Sequence, residues 1–418
     1  MNSYQLIILI ISLSAGFAYI NHRYLKMPFV IGLFFLSMLF SLSILSSKYW
    51  AYSYFENIKE VIAQVNLSKY ILEIMLGFLL FAGSLHVEWS EIKKQLKTIG
   101  IFAIVGVIAS TFIIGSLFYG ISGVLGIEIS FIYCLLFGAL ISPTDPIAVL
   151  GILTKANVPK RIETTIVGES LFNDGIGVVV FIALLEILNT GSEHFSLSHF
   201  GLLFVQESIG GILFGLIAGY LLHKLLSTIN HYETEVILTL AFVMLGYELC
   251  LWLHLSGALA MVIMGLFVGN YKQDQAMSDI TMDYVDKFWE LLDVILNAIL
   301  FILIAFVLVL IDIKGIYILM GFISILIVLV SRWIVVFLPK TLLPKTINMN
   351  NKEANLIVWG GLRGGLSIAL VMSLPESEAK EVLMVATYTC VVFSILVQGL
   401  SIENVAKSLL KLTLKTNK

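Results

Sequence analysis

Ten residues, Gly168-Glu169-Ser170-Leu171-Phe172-Asn173-Asp174-Gly175-Ile176-Gly177, place two carboxylates, an amide and a hydroxyl in an otherwise apolar stretch. On a helix Glu169 and Asn173 lie four apart, as do Ser170 and Asp174, so the polar groups share one face. Hard oxygen donors of this kind suit hard cations, and a carboxylate also takes a proton. Ser142-Pro143-Thr144-Asp145-Pro146 brings a further hydroxyl and carboxylate flanked by two prolines. Gly360-Gly361-Leu362-Arg363-Gly364-Gly365 sets a guanidinium among four glycines, and Arg332 stands in another apolar run. The chemistry open to these groups is the binding of small cations and protons, with positive side chains balancing the acids.

The elements that must position them are membrane spans. Of 418 residues, 59% are hydrophobic and 13% charged, where a soluble domain carries about 25% charged residues; the mean hydropathy is +0.98. No water-soluble core hides that much apolar side chain. A soluble enzyme, a nucleic-acid binder and a disulfide-stapled secreted module are excluded, and a net charge of -3 points to no charged partner surface. Cys134, Cys250 and Cys390 lie far apart in apolar runs and read as small core hydrophobes.

Apolar runs of 15 or more residues mark thirteen segments, at 4–20, 29–46, 70–88, 98–119, 129–153, 163–188, 200–226, 235–252, 256–270, 288–311, 315–337, 354–374 and 381–402. The chain thus reads as a single all-α polytopic membrane domain over 1–418, with no gap between spans large enough for a folded soluble domain. No basic residue precedes the first run, so it reads as a retained span and not as a signal peptide. With thirteen spans, 18 of the Lys and Arg residues fall in loops on one side and 5 on the other. Positive residues collect on the cytoplasmic side, which predicts an outside N-terminus and a cytoplasmic C-terminus.

Two spans cannot run unbroken. In the fifth, Pro143 and Pro146 remove backbone donors and clash with the preceding turn. In the twelfth, four glycines permit unwinding. Irregular backbone at membrane depth survives only inside protein or beside a water-filled cavity, and paired interrupted helices mark a transporter's binding site. Spans five and twelve are seven apart and so run in opposite directions, the arithmetic of an inverted repeat of spans 1–6 and 8–13. Counting 1.5 Å per residue from the cytoplasmic end, Asp174 lies about 16 Å deep, Asp145 about 12 Å and Arg363 about 13 Å. Glu169 at about 9 Å and Arg332 at about 7 Å match in depth and oppose in sign, a plausible buried ion pair.

A plainer role is open to each. Asp145 could cap the second half-helix, Arg363 could neutralise carbonyls at the break, and Glu169 with Arg332 reads best as structural. Glu73, Glu186, Glu207, Glu235, Glu248, Glu290, Asp293 and Asp312 sit nearer span ends or lack partners, although Asp293 and Asn297, again four apart, could extend the polar region. The seven histidines sit mainly in loops or at span ends. Gly120-Ile121-Ser122-Gly123 fits a GxSG serine-hydrolase pattern, a weak match in a short outside loop.

The polar runs together resemble the motifs of bacterial and archaeal sodium/proton exchangers of the first monovalent cation:proton antiporter family. The resemblance covers nearly the whole chain and is most specific in Gly168–Gly175, with Thr144-Asp145-Pro146 and Gly360–Gly364 in the expected order. It implies an inverted-repeat antiporter fold with two discontinuous helices, Asp174 of the Asn173-Asp174 pair as the ion- and proton-carrying carboxylate, Na+ ligands from Thr144 and Ser170, and a Glu169–Arg332 pair. It also implies a homodimer in the cell membrane, with a mobile core (98–188 and 315–402) and a dimerising scaffold (1–88 and 200–311). Ala82 departs from the pattern, since relatives often place a carboxylate there.

No cofactor is implied beyond the transported Na+ (or Li+) and H+. One carboxylate holds either ion but not both, and the empty, charged site cannot cross a low-dielectric barrier cheaply. Asn173 does not titrate, so a 1:1, electroneutral exchange by alternating access is expected. The rival readings are a K+/H+ antiporter or cation channel on the same scaffold and, remotely, an intramembrane hydrolase.

Overall fold

The computed structural model describes residues 3–63, 67–145, 158–190, 197–271, 279–311 and 314–410. Among them there is no strand. Among the described residues nine helices are long and apolar enough to cross a membrane, and Phe131–Ile141 and Gly257–Asn270 are shorter apolar helices. The helices that matter to the polar residues are α1 (67–85), α2 (Trp89–Val124), α3 (Phe131–Ile141), α4 (Lys160–Thr190) and α5 (Asp279–Leu310). After them come α6 (Gly315–Leu342), α7 (Asn351–Trp359), α8 (Gly365–Met372) and α9 (Glu378–Leu410). Each of the thirteen apolar segments contains helix, the fifth being described only to Asp145. Pro146 and the rest of that segment lie outside the described residues, as do Lys155, Asp312 and the last eight residues.

One element had no apolar run to mark it. Residues 47–69 fall in the gap between the second and third apolar segments, but Tyr52–Ala63 is helical. Glu56, Lys59 and Glu60 interrupt its apolar residues, while Phe55 and Ile62, seven apart, are buried on one face. An amphipathic helix has the 3.6-residue period without the continuous run.

The twelfth span is two short helices, α7 and α8, separated at 360–364. Asn350 starts α7 with a full capping box: its side chain accepts from the Glu353 amide at 2.9 Å, and Glu353 accepts from the Asn350 amide at 2.8 Å. Glu353 also takes the Arg161 guanidinium at 2.9 Å, tying the start of α7 to the start of α4. In the fifth span, α3 ends at Ser142, whose hydroxyl donates to the Gly138 carbonyl at 2.6 Å, and the chain then runs non-helically through Asp145. Helix α4 packs on α2 and α3, α6 packs on α9, and α8 packs on α9. Helix α5 packs mainly on Phe29–Ser46, Tyr232–Trp252 and α1. The polar residues lie where these groups face each other.

Candidate ion-binding site

The two interrupted spans complete each other. Where α3 stops, its last carbonyls have no helical partner; the Arg363 guanidinium donates to the Ser142 carbonyl at 2.7 Å and the Pro143 carbonyl at 3.0 Å. The Asp145 amide donates to the Leu362 carbonyl at 2.8 Å, joining one break to the other through backbone. Gly364 has to be glycine here, because a Cβ would collide with the Asp145 carboxylate. Gly177 plays a matching part on α4, where a Cβ would strike the Pro143 ring.

The far side of the second break is held by α9. The Arg363 amide donates to the Ser394 hydroxyl oxygen at 2.7 Å. That hydroxyl donates to Gln398 Oε1 at 2.9 Å, and the Gln398 amide donates to the Trp359 carbonyl at 3.1 Å. Ser394–Gln398 is a π-helical turn, and such single turns often occur at functional sites. Neither residue stood out in the sequence: a Ser and a Gln near the end of an apolar run carry no spacing that points to partners 31 and 39 residues away.

On α4 the polar face divides. Asn173 is buried, donates its amide to the Thr144 hydroxyl at 2.9 Å and accepts from the Thr144 amide at 3.2 Å. The Ser170 hydroxyl donates to the Thr144 carbonyl. Three hydrogen bonds thus fix Thr144, and with it the unwound chain, to α4. Glu169 turns elsewhere and makes a two-pronged ion pair with both terminal nitrogens of Arg332 on α6, both residues buried. Arg332 also donates to the Ile357 carbonyl at 3.3 Å, and a Cβ on Gly361 would stand 2.7 Å from its Nε.

A cavity of about 360 Å³ opens beside this assembly. Asp174, Asp145, Thr144 and Ser170 line it, together with Ala82 on α1 and Asp293 on α5. Glu88, Glu91, Lys160 and Glu163 line it at the beginnings of α2 and α4, the side rich in Lys and Arg. Among the described residues, no hydrogen bond is made to the Asp174 carboxylate. Of the residues singled out from the sequence, the structure gathers Asp174, Asp145, Thr144 and Ser170 on one cavity. It sets Asn173 behind them as a tether and keeps Glu169, Arg332 and Arg363 off the lining. Oxygen donors with excess negative charge at the end of an open path can take a small cation or a proton. Ser122 is different: its hydroxyl donates to the Tyr119 carbonyl at 2.9 Å inside a helix, which leaves the hydrolase pattern without an activated nucleophile.

Residues 9–408 match the family described as sodium/hydrogen exchanger, transmembrane. The chain belongs to the sodium/hydrogen exchanger family. Within it, the chain is 44% identical over 404 residues to the Na(+)/H(+) antiporter NhaP of Pseudomonas aeruginosa, covering 95% of both chains. It is 34% identical to the Na(+)/H(+) antiporter NhaH of Halobacillus dabanensis, over 81% of this chain and 83% of that one. The structure of the sodium proton antiporter MjNhaP1 from Methanocaldococcus jannaschii superposes with a TM-score of 0.75 at 20% identity, covering 97% and 98% of the two chains. The exchanger fold, all-helical and polytopic, is therefore established for this chain.

Proposed function

We propose that this exchanger swaps Na+ for H+ across the membrane, with Asp174 as the one carboxylate that carries each in turn. The observation that carries the reading is the contrast on α4: Glu169 is closed by a buried guanidinium, whereas Asp174 lies on a cavity with its carboxylate uncommitted among the described residues. Thr144 and Ser170 are the neighbouring Na+ ligands, and Asp145 adds charge that favours a cation. The names of the relatives support Na+ as the metal ion.

Each step rests on a group of this chain. Na+ enters along the cavity and meets Asp174; the proton leaves the same oxygen, since one charge is neutralised by one ion. Either loaded form is neutral and can cross a low-dielectric barrier, while the bare carboxylate cannot cross cheaply. Asn173 holds Thr144 without adding a titrating charge, so the exchange is 1:1 and electroneutral. Arg363 and the Glu169–Arg332 pair keep the breaks and the α4–α6 contact in shape. Helices from 98–188 and 315–402 move as a core against a scaffold from 1–88 and 200–311, through which the chain dimerises. The N-terminus lies outside and the C-terminus in the cytoplasm of a cell-membrane protein.

Proteoliposomes carrying a pH-sensitive dye test this. Expected are Na+- and Li+-driven proton movement without a membrane potential. Preference for K+, or current without proton counter-movement, would instead make this a potassium exchanger or a channel.

A further inference from the structure

The wall of the cavity facing α4 carries a carboxylate that the proposed exchange leaves unused. Asp293 on α5 lines the same cavity as Asp174 and Asp145 and is within electrostatic reach of Asp145. Two other acids on the lining have a lysine beside them, Glu163 with Lys160 at 3.6 Å and Glu91 with Lys94; Glu88, Glu290 and Asp293 make no ion pair among the described residues. One turn along, Asn297 is buried at 1% exposure. Its amide donates to the Asp293 carbonyl at 2.9 Å, and its Oδ1 has no hydrogen-bond partner. A buried amide oxygen left unmatched costs free energy unless something compensates it. Asn297 lies off the cavity lining, behind Asp293 on the same helix face, so the hard oxygen donor that this wall offers a small cation is the Asp293 carboxylate.

We propose that Asp293 is a second cation station on the α5 wall, which takes Na+ from the cavity mouth and passes it to Asp174. The proposal rests on the exchange function above. Because Asp174 and Asp145 belong to the α3–α4 side and Asp293 to the α5 side, movement of one side against the other separates the two stations. Asp293 then acts on capture and not on the crossing. Losing its charge weakens Na+ capture and leaves the turnover of a loaded site alone.

Two measurements test it. In proteoliposomes Asp293→Asn raises the apparent KM for Na+ about fivefold, the effect of one nearby charge, with the maximal rate within about twofold of the parent. The rise persists in added choline chloride, which screens distant charges, and Asp293→Glu recovers most of it. In detergent, Asp174→Asn protein keeps a weak Na+-dependent thermal stabilisation that Asp174→Asn/Asp293→Asn protein lacks. An unchanged KM in Asp293→Asn, a rise abolished by choline chloride, or an Asp174→Asn protein with no response to Na+ overturns the second station. Exchange that survives Asp174→Asn overturns the proposed function itself, so the two failures are distinguishable.

Discussion

Glu169 and Asp174 stand five residues apart on one helix, and the molecule treats them in opposite ways. Glu169 is 1% exposed and held in a two-pronged pair with Arg332, a residue 163 positions further along the chain. Asp174 lies on a cavity with no hydrogen bond from any described residue. The same functional group becomes a rivet in one place and an open ion seat in the other. What separates them is the neighbouring helix: α6 supplies a guanidinium opposite Glu169, and the break in the fifth span withholds one from Asp174 by directing Arg363 to the carbonyls of Ser142 and Pro143. A buried acid with a matched partner is unavailable to solute ions; one left beside a water-accessible path is not.

The sharpest way to break this comparison is to neutralise the open acid. Asp174→Asn is expected to remove exchange to background while the protein stays folded and monodisperse, as read by dye-loaded proteoliposomes and size-exclusion chromatography. Neutralising one half of the rivet should do the reverse. Arg332→Met leaves a buried carboxylate unpaired and costs about 3–5 kcal/mol, visible as a lower melting temperature in detergent; Glu169→Leu/Arg332→Met removes both charges and should recover much of that stability. Arg363→Gln loses charged hydrogen bonds to two carbonyls at the first break. Each such bond contributes about 1.5–3 kcal/mol, so a slower exchange rate and a lower melting temperature are expected together. The smallest effect is graded: as pH falls, protons occupy the carboxylate that Na+ needs, so the apparent KM for Na+ rises, approaching roughly tenfold per pH unit. A KM indifferent to pH would mean that the two ions do not share a site.

Much of the architecture was legible in the chain itself. Long apolar runs, the asymmetry of lysines and two proline- or glycine-broken spans report the lipid environment directly, because each span must satisfy its own backbone and hide its own charges. The amphipathic helix Tyr52–Ala63 escaped that logic, since its charged face interrupts the apolar run. Within the site, residues grouped on α4 announced themselves by helical spacing. Asp293 and Asn297 showed the same spacing, but nothing in the chain said that Asp293 faces the wall holding Asp174. Ser394 and Gln398 gave no signal, because their partners at Arg363 and Trp359 are brought near only by folding.

Spans, breaks, the shared face of Glu169, Ser170, Asn173 and Asp174, and the need to neutralise deep charges were determined by the order of residues alone. Local periodicity and the insolubility of charge in lipid act on each segment separately. Which acid is sealed and which is open was decided by the tertiary structure. Contacts of α4 with α6, and of each broken span with the other, join residues far apart in the chain, and their partners exist only once the helices have packed.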